Sequence, residues 1–266
     1  MRVDAFDDLE FELRNGIARV WIARPERKNA LGDRTTRHLV EILTAIEADP
    51  EARVVILAGK GGDFSAGGDF KDTFARGVER SAPQWAERIR QGPNRLAEQL
   101  RSLSKPVIAA IDGVAVGGGA TIALACDLRM VSESARFAFP FSKIGLTPEF
   151  GCSYLLPRVV GLGASLELLL LGDFIDAREA HRLGLVHRVV PRERLDDEVE
   201  ALAARLAQRP PAALRAIKQL LYHAMSSDMA SALECEALAL GDAFVSPDHR
   251  RAVQAFLSRE RGHDGK

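Results

Sequence analysis

The chain has 266 residues with 36 Lys+Arg against 37 Asp+Glu, a formal net charge of −1. That length can bury a large core in one domain or two, and the near-neutral balance supplies no global field for gathering nucleic acid. No apolar run approaches the roughly 20 residues of a membrane helix, and the acidic start MRVDAFDDLEFEL suits neither a signal nor a transit peptide. A cytoplasmic protein is expected, with no membrane and no nucleic-acid partner.

In chain order, Leu9 to Leu13 and Ile17 to Ile22 flank Arg14-Asn15-Gly16 and read as a β-hairpin. Leu39, Ile42, Leu43 and Ile46 fall at helical spacing, which predicts an amphipathic helix from about Asp33 or Thr35 to Ala48, stopped by Asp49-Pro50. Val54 to Ala58 reads as a fully buried strand. A helical pattern from Pro83 to Leu103 is interrupted by Gly92-Pro93, which either separates two helices or kinks one. Val107–Ile111, a glycine-rich turn, a helix over Ala120–Cys126 and a strand at Leu128–Val131 follow, so the fold class is α/β. Beyond Val190-Pro191 the composition turns Ala-, Leu- and Arg-rich. Helices are expected at about 195–208, 211–225, 229–244 and 247–260, with Ser246-Pro247 as the cap and first residue of the last. The expected division is 1–194 and 195–266.

Chemistry concentrates in two glycine loops. Ile111 to Thr121 reads IDGVAVGGGAT at a strand-to-helix junction, where glycines allow close approach and the helix start leaves free N–H groups. The spacing fits neither a dinucleotide fingerprint nor a phosphate loop. The other loop, Lys60 to Lys71, which is the first in chain order, follows the buried strand and contains Phe64-Ser65-Ala66-Gly67-Gly68-Asp69. Two such loops can aim two main-chain donors at one oxygen that becomes anionic during a reaction. Arg24, Arg27 and Lys28 form a local basic cluster at a strand end. The three cysteines, Cys126, Cys152 and Cys235, lack metal-ligand spacing and read as reduced thiols, Cys152 as buried filler. The six histidines (His38, His181, His187, His223, His249, His263) form no HExxH or nucleophile–base motif, so no metal is expected.

Several stretches, in this order, resemble the crotonase, or enoyl-CoA hydratase/isomerase, superfamily. They are Arg24-Pro25-Glu26-Arg27-Lys28-Asn29-Ala30-Leu31, the Phe64–Asp69 loop, IDGVAVGGGAT with Cys126-Asp127, Phe137-Ala138-Phe139-Pro140, Lys143-Ile144-Gly145-Leu146, Leu155-Leu156-Pro157-Arg158, and Ala177-Arg178-Glu179-Ala180 leading to Gly184-Leu185-Val186. The resemblance implies a spiral of ββα units with a C-terminal helical trimerisation segment, and a homo-trimer or a hexamer built as a dimer of trimers. It implies acyl-CoA thioesters as substrates and no separate cofactor, coenzyme A arriving as part of the substrate. Gly68 and Gly118 align with the family's oxyanion hole. Lys28, Ala30, Ala66, Gly68 and Asp69 align with the CoA-binding loops, and Lys71 and Arg259 stand where cations could reach the phosphates.

Hydratases similar to this chain carry one glutamate just after the GGG-x element and another after the proline of the FAxP element. Here those positions hold Thr121 and Phe141, neither of which can act as a base at neutral pH. Glu149, in Gly145-Leu146-Thr147-Pro148-Glu149-Phe150-Gly151, lies in the loop where several branches place a single catalytic acid. This pattern is similar to the Δ3,Δ2-enoyl-CoA isomerase branch, with Thr121, Phe141 and Phe150 lining the pocket. A hydratase, a thioester hydrolase or dehalogenase, and an RNA-binding or scaffold role are the competing expectations.

Overall fold

The computed structural model describes residues 6–74 and 80–254. Contacts divide the chain into two units, Met1–Ala207 and Gln208–Lys266.

The first unit opens with the hairpin of β1 (Leu9–Arg14) and β2 (Ile17–Ile22), paired in register from Leu9↔Ile22 to Arg14↔Ile17. Asn15 and Gly16 both have positive φ, 52° and 80°, as a tight two-residue turn that follows the strand twist requires. The remaining strands of the main sheet, β3 (Val54–Gly59), β4 (Val107–Ile111), β6 (Leu128–Ser132) and β9 (Arg188–Val190), extend it in the order β1-β2-β3-β4-β6-β9, parallel from β2 onward. A second sheet joins β5 (Val114–Val116), β7 (Arg136–Ala138) and β8 (Ile175–Asp176) in the order β5-β7-β8. From β4 to β7 consecutive strands alternate between the two sheets, in line with the spiral progression the resemblance implied.

Side-chain alternation explains how the central strands are covered. Val55 and Leu57 of β3 face one core with Val107, Ala109 and Ile111 of β4, while Val54, Ile56 and Ala58 face another with Ile108 and Ala110. The first core is closed by α1 (Asp33–Ala48), α3 (Arg95–Ser102) and α4 (Gly118–Ala125). The second is closed by α8 (Leu195–Ala207), which buries Leu195, Val199, Ala203 and Ala207 at helical spacing. Strands apolar on both faces need cover on both. The expected boundary at 194/195 therefore shifts: the helix assigned to the C-terminal segment belongs to the first unit, which ends at Ala207.

Between residues 82 and 102 the chain runs from α2 (Ala82–Ile89) through one π turn, Arg90–Asn94, into α3. The π turn contains Gly92 and Pro93, and the flanking Ile89 and Arg95 keep helical angles, so the interruption expected there is a π turn within a continuous helical path. Further along lie α5 (Cys152–Val160), α6 (Leu162–Leu171) and α7 (Ala177–Arg182).

In the second unit α9 (Pro211–Ala224) packs on α10 (Met229–Val245), whose N-cap Asp228 accepts from the Ser231 N–H at 2.9 Å. A further helix begins at 247, with Ser246 Oγ accepting from the His249 N–H at 3.1 Å, as the sequence predicted; it is described to 254. Arg259 lies outside the described residues. Among the described residues no helix is long and apolar enough to cross a membrane, and no group of three or more His, Cys, Asp or Glu could hold a metal ion.

Candidate active site

The two glycine loops are sewn to one another. Ser65 N–H donates to Val114 O (3.0 Å) and Val116 N–H donates to Ser65 O (2.9 Å), adding the first loop to β5. Glycine is required where they touch. A Cβ on Gly67 would stand 2.5 Å from Val116 O and 3.4 Å from Gly118 N, and one on Gly119 would stand 2.5 Å from Ser65 O. Gly67 and Gly117 also have φ of +86° and +53°, conformations that side chains other than glycine's rarely adopt.

This contact brings Gly68 beside the start of α4. Leu31 bridges Gly68 in parallel fashion: Leu31 N–H donates to Gly67 O at 2.7 Å and Asp69 N–H donates to Leu31 O at 2.9 Å. In such a bridge the central residue's own N–H points away from its partner strand. Gly118 is the first residue of α4, whose first-turn N–H groups have no helical acceptors. Neither the Gly68 nor the Gly118 N–H finds an acceptor among the described residues. At the other end of α4 the buried Arg129 donates to Cys126 O at 2.8 Å and to Leu185 O at 2.6 Å, meeting the negative pole of the helix. The positive pole is left to the site.

Glu149 stands at that pole. A Cβ on Gly118 would lie 3.1 Å from Glu149 Oε1 and 2.8 Å from the Phe150 ring, so the carboxylate and the ring rest directly on the glycine. Phe150 has φ 53°, a costly conformation for a bulky residue, and Gly151 follows at 78° before α5 begins. The turn strains Phe150 and in return holds acid and ring against the loop. Phe141 and Phe150 are buried, and Phe141 reaches within 3.9 Å of a Cβ position on Gly117. Burial pushes the Glu149 carboxyl above its ordinary value, with the Arg88 charge opposing. Arg88, on α2, is ion-paired with Asp33 and lies 5.4 Å from the Trp85 ring centroid. Thr121 is fully buried and donates to Gly117 O at 3.1 Å. Burial raises the Cys152 thiol to about 11, despite a hydrogen bond with Thr121, so it stays protonated and inert.

The CoA-side residues form a continuous patch with the first loop. Ala66 N–H donates to Lys28 O at 2.8 Å, and Arg24 donates to Ala30 O at 2.7 Å. Lys28 and Asn29 have φ of 49° and 55°. Asn29 is completely buried and donates to Lys60 O (2.8 Å) and Asp63 O (2.6 Å), while its Oδ1 accepts from Arg24 N–H (2.9 Å). Asn29 thus pins the two segments together, a role that its place in the Arg24–Leu31 stretch does not reveal. The Lys28 side chain is largely exposed, 3.8 Å from Asp63. Lys71 is exposed in the π turn Phe70–Phe74, its N–H donating to Asp69 Oδ1 at 3.1 Å. The Asp69 carboxylate faces Arg24 and Arg27, each at 2.8 Å. Burial works against its charge, but hydrogen bonds from Arg27 and Arg24 win and hold it at about 2.

The sequence also missed Arg88. The only signal was Trp85 and Arg88 one helical turn apart, which places both on one face of α2.

Two main-chain donors beside a buried acid, on an α/β spiral, are an arrangement suited to proton transfer next to a carbonyl. The chain belongs to the enoyl-CoA hydratase/isomerase family, whose profile matches residues 12–263, and it has the crotonase fold. It is similar to the 1,2-epoxyphenylacetyl-CoA isomerase of Escherichia coli, 37% identical over 93% of this chain and 94% of that one. It is also similar to the crotonyl-CoA hydratase of Syntrophomonas wolfei, 34% identical over 97% and 98%. The crystal structure of an enoyl-CoA hydratase/isomerase from Cupriavidus metallidurans superimposes with a TM-score of 0.91 at 32% identity, covering 96% of this chain and 95% of that one. The protein is therefore an acyl-CoA enzyme of this family.

Proposed function

We propose that the protein is an enoyl-CoA isomerase that moves a 3,4 double bond into conjugation with the thioester. The observation that carries this reading is Glu149 Oε1 resting against Gly118, while the two positions that hold hydratase glutamates are Thr121 and Phe141.

In this mechanism the thioester oxygen accepts from the Gly68 and Gly118 N–H groups. The Glu149 carboxylate removes a proton from C2, acidified by both carbonyl and alkene. The electron pair enters a dienolate whose negative charge falls largely on the held oxygen. Protonated Glu149 then delivers the same proton to C4, and the double bond closes between C2 and C3. One acid suffices because it serves as base and then as acid. A carboxyl raised by burial is the stronger base for the first step, taking the proton from C2. Lys28, Ala30 and Ala66 would receive the CoA moiety, and Lys71 and Arg259 its phosphates.

Hydration is the second reading, favoured by similarity to a crotonyl-CoA hydratase and a short-chain-enoyl-CoA hydratase. The deciding experiment sets 3-enoyl-CoA isomerisation beside crotonyl-CoA hydration with one preparation. Faster isomerisation supports the proposal, and faster hydration overturns it. Homo-trimeric or hexameric assembly is part of the same proposal. It is supported by apolar side chains left exposed on α6 (Leu162, Leu166, Leu170) and, within the second unit, on α9 and α10 (Leu221, Leu238, Phe244).

A further inference from the structure

Asp69 follows the first-loop donor directly, and its surroundings are unusual for a residue in a surface loop. Its side chain is 5% exposed, yet it carries a full charge shared by two guanidinium groups, Arg24 Nη2 and Arg27 Nη1, each 2.8 Å from Oδ2. Its other oxygen accepts from the Lys71 N–H (3.1 Å) and the Asp72 N–H (3.2 Å), starting the turn that follows. Its own N–H donates to Leu31 O at 2.9 Å. The residue is therefore held on three sides. Both arginines come from the segment that also supplies Lys28 and Ala30, and Arg24 additionally donates to Ala30 O at 2.7 Å.

Such a set of bonds fixes the peptide plane next to it. Leu31 holds Gly67 O on one side of Gly68 and Asp69 N on the other, so the Gly68 N–H has one direction left to it. Gly68 itself has no side chain with which to resist rotation. The clamp on Asp69 supplies that resistance, and charge-assisted bonds in a desolvated position are the stiff kind.

We infer that Asp69, clamped by Arg24 and Arg27, is a positioning residue that aims the Gly68 N–H at the thioester oxygen. The inference rests on the reading of Gly68 and Gly118 as an oxyanion hole. It also ties the hole mechanically to the segment expected to meet coenzyme A, since the same arginines brace both.

The test uses the full-length protein and a saturated acyl-CoA labelled with carbon-13 at the thioester carbonyl, whose stretching band moves to lower frequency when the oxygen accepts strong hydrogen bonds. Asp69→Asn keeps the shape and an oxygen acceptor for the Lys71 and Asp72 amides but removes the charge. In this variant the band should return part of the way toward its position in water. The kcat on 3-enoyl-CoA should drop about a hundredfold, the order expected for an ångström-scale misplacement, while KM stays within about threefold. Arg27→Gln, altering the more exposed of the two guanidinium groups, should show the same changes at smaller size and covers the case in which Asp69→Asn does not fold. A purely structural role would lower the melting temperature and leave the band unmoved. A shifted band in the unaltered protein that persists in both variants overturns this inference alone. An unshifted band in the unaltered protein overturns the oxyanion hole itself, and the inference with it.

Discussion

Replacing Glu149 with glutamine separates what the residue does for chemistry from what it costs the fold. The amide has nearly the same shape, so the contacts with Gly118 and Phe150 can remain. It cannot accept the C2 proton. Loss of a positioned acid–base group typically costs 10² to 10⁴ in rate, about 2.7–5.5 kcal/mol of transition-state stabilisation. Glu149→Gln should therefore lose at least about a hundredfold in kcat on 3-enoyl-CoA, followed by the ultraviolet band of the conjugated product. Stability should move the other way. Burial raises the folded-state carboxyl above its ordinary value of 4.5, so above that pH the ionised group disfavours the folded state. The glutamine variant should thus melt no lower than the parent at pH 7, and any advantage should vanish below about pH 4, where Glu149 is neutral folded or unfolded. Activity within tenfold of the parent would refute the catalytic assignment. A variant melting several degrees lower at pH 7 would refute the electrostatic account.

Arg88→Gln removes the charge that opposes the raised carboxyl of Glu149, so the rising limb of kcat/KM against pH should move to higher pH, with the largest activity loss in mildly acidic buffer. A limb that stays or moves down contradicts that coupling. Gly67→Ala would drive a Cβ to within 2.5 Å of Val116 O at φ +86°. It should part the two loops and lower kcat about a hundredfold, with a measurable fall in melting temperature, whereas near-parental activity would mean that the loops tolerate separation.

The hairpin, α1, the buried central strands and the cap at Ser246 could be read from local pattern, because each depends on residues close in sequence. Asn15-Gly16 fits only a turn with positive φ, and Val54 to Ala58 has no polar face to offer solvent. The pairing of Glu149 with two glycine loops was legible only through family resemblance. No periodicity links residue 149 to residues 68 and 118. The C-terminal boundary was misread because α8 looks like its helical successors in composition, and its assignment depends on which apolar surface it covers.

The sequence by itself determined the α/β alternation, the absence of the paired hydratase acids and the presence of one spare carboxylate in a glycine-flanked turn. Tertiary structure alone decided that this carboxylate rests on Gly118, that the charge of Arg88 on α2 acts on it, and that Asn29 and Asp69 tie the loops to the Arg24–Leu31 segment. The physical reason is range. Backbone preference and hydrophobic period act over a few residues, whereas a carboxyl's affinity for its proton and an amide's direction are set by groups that only folding brings within reach.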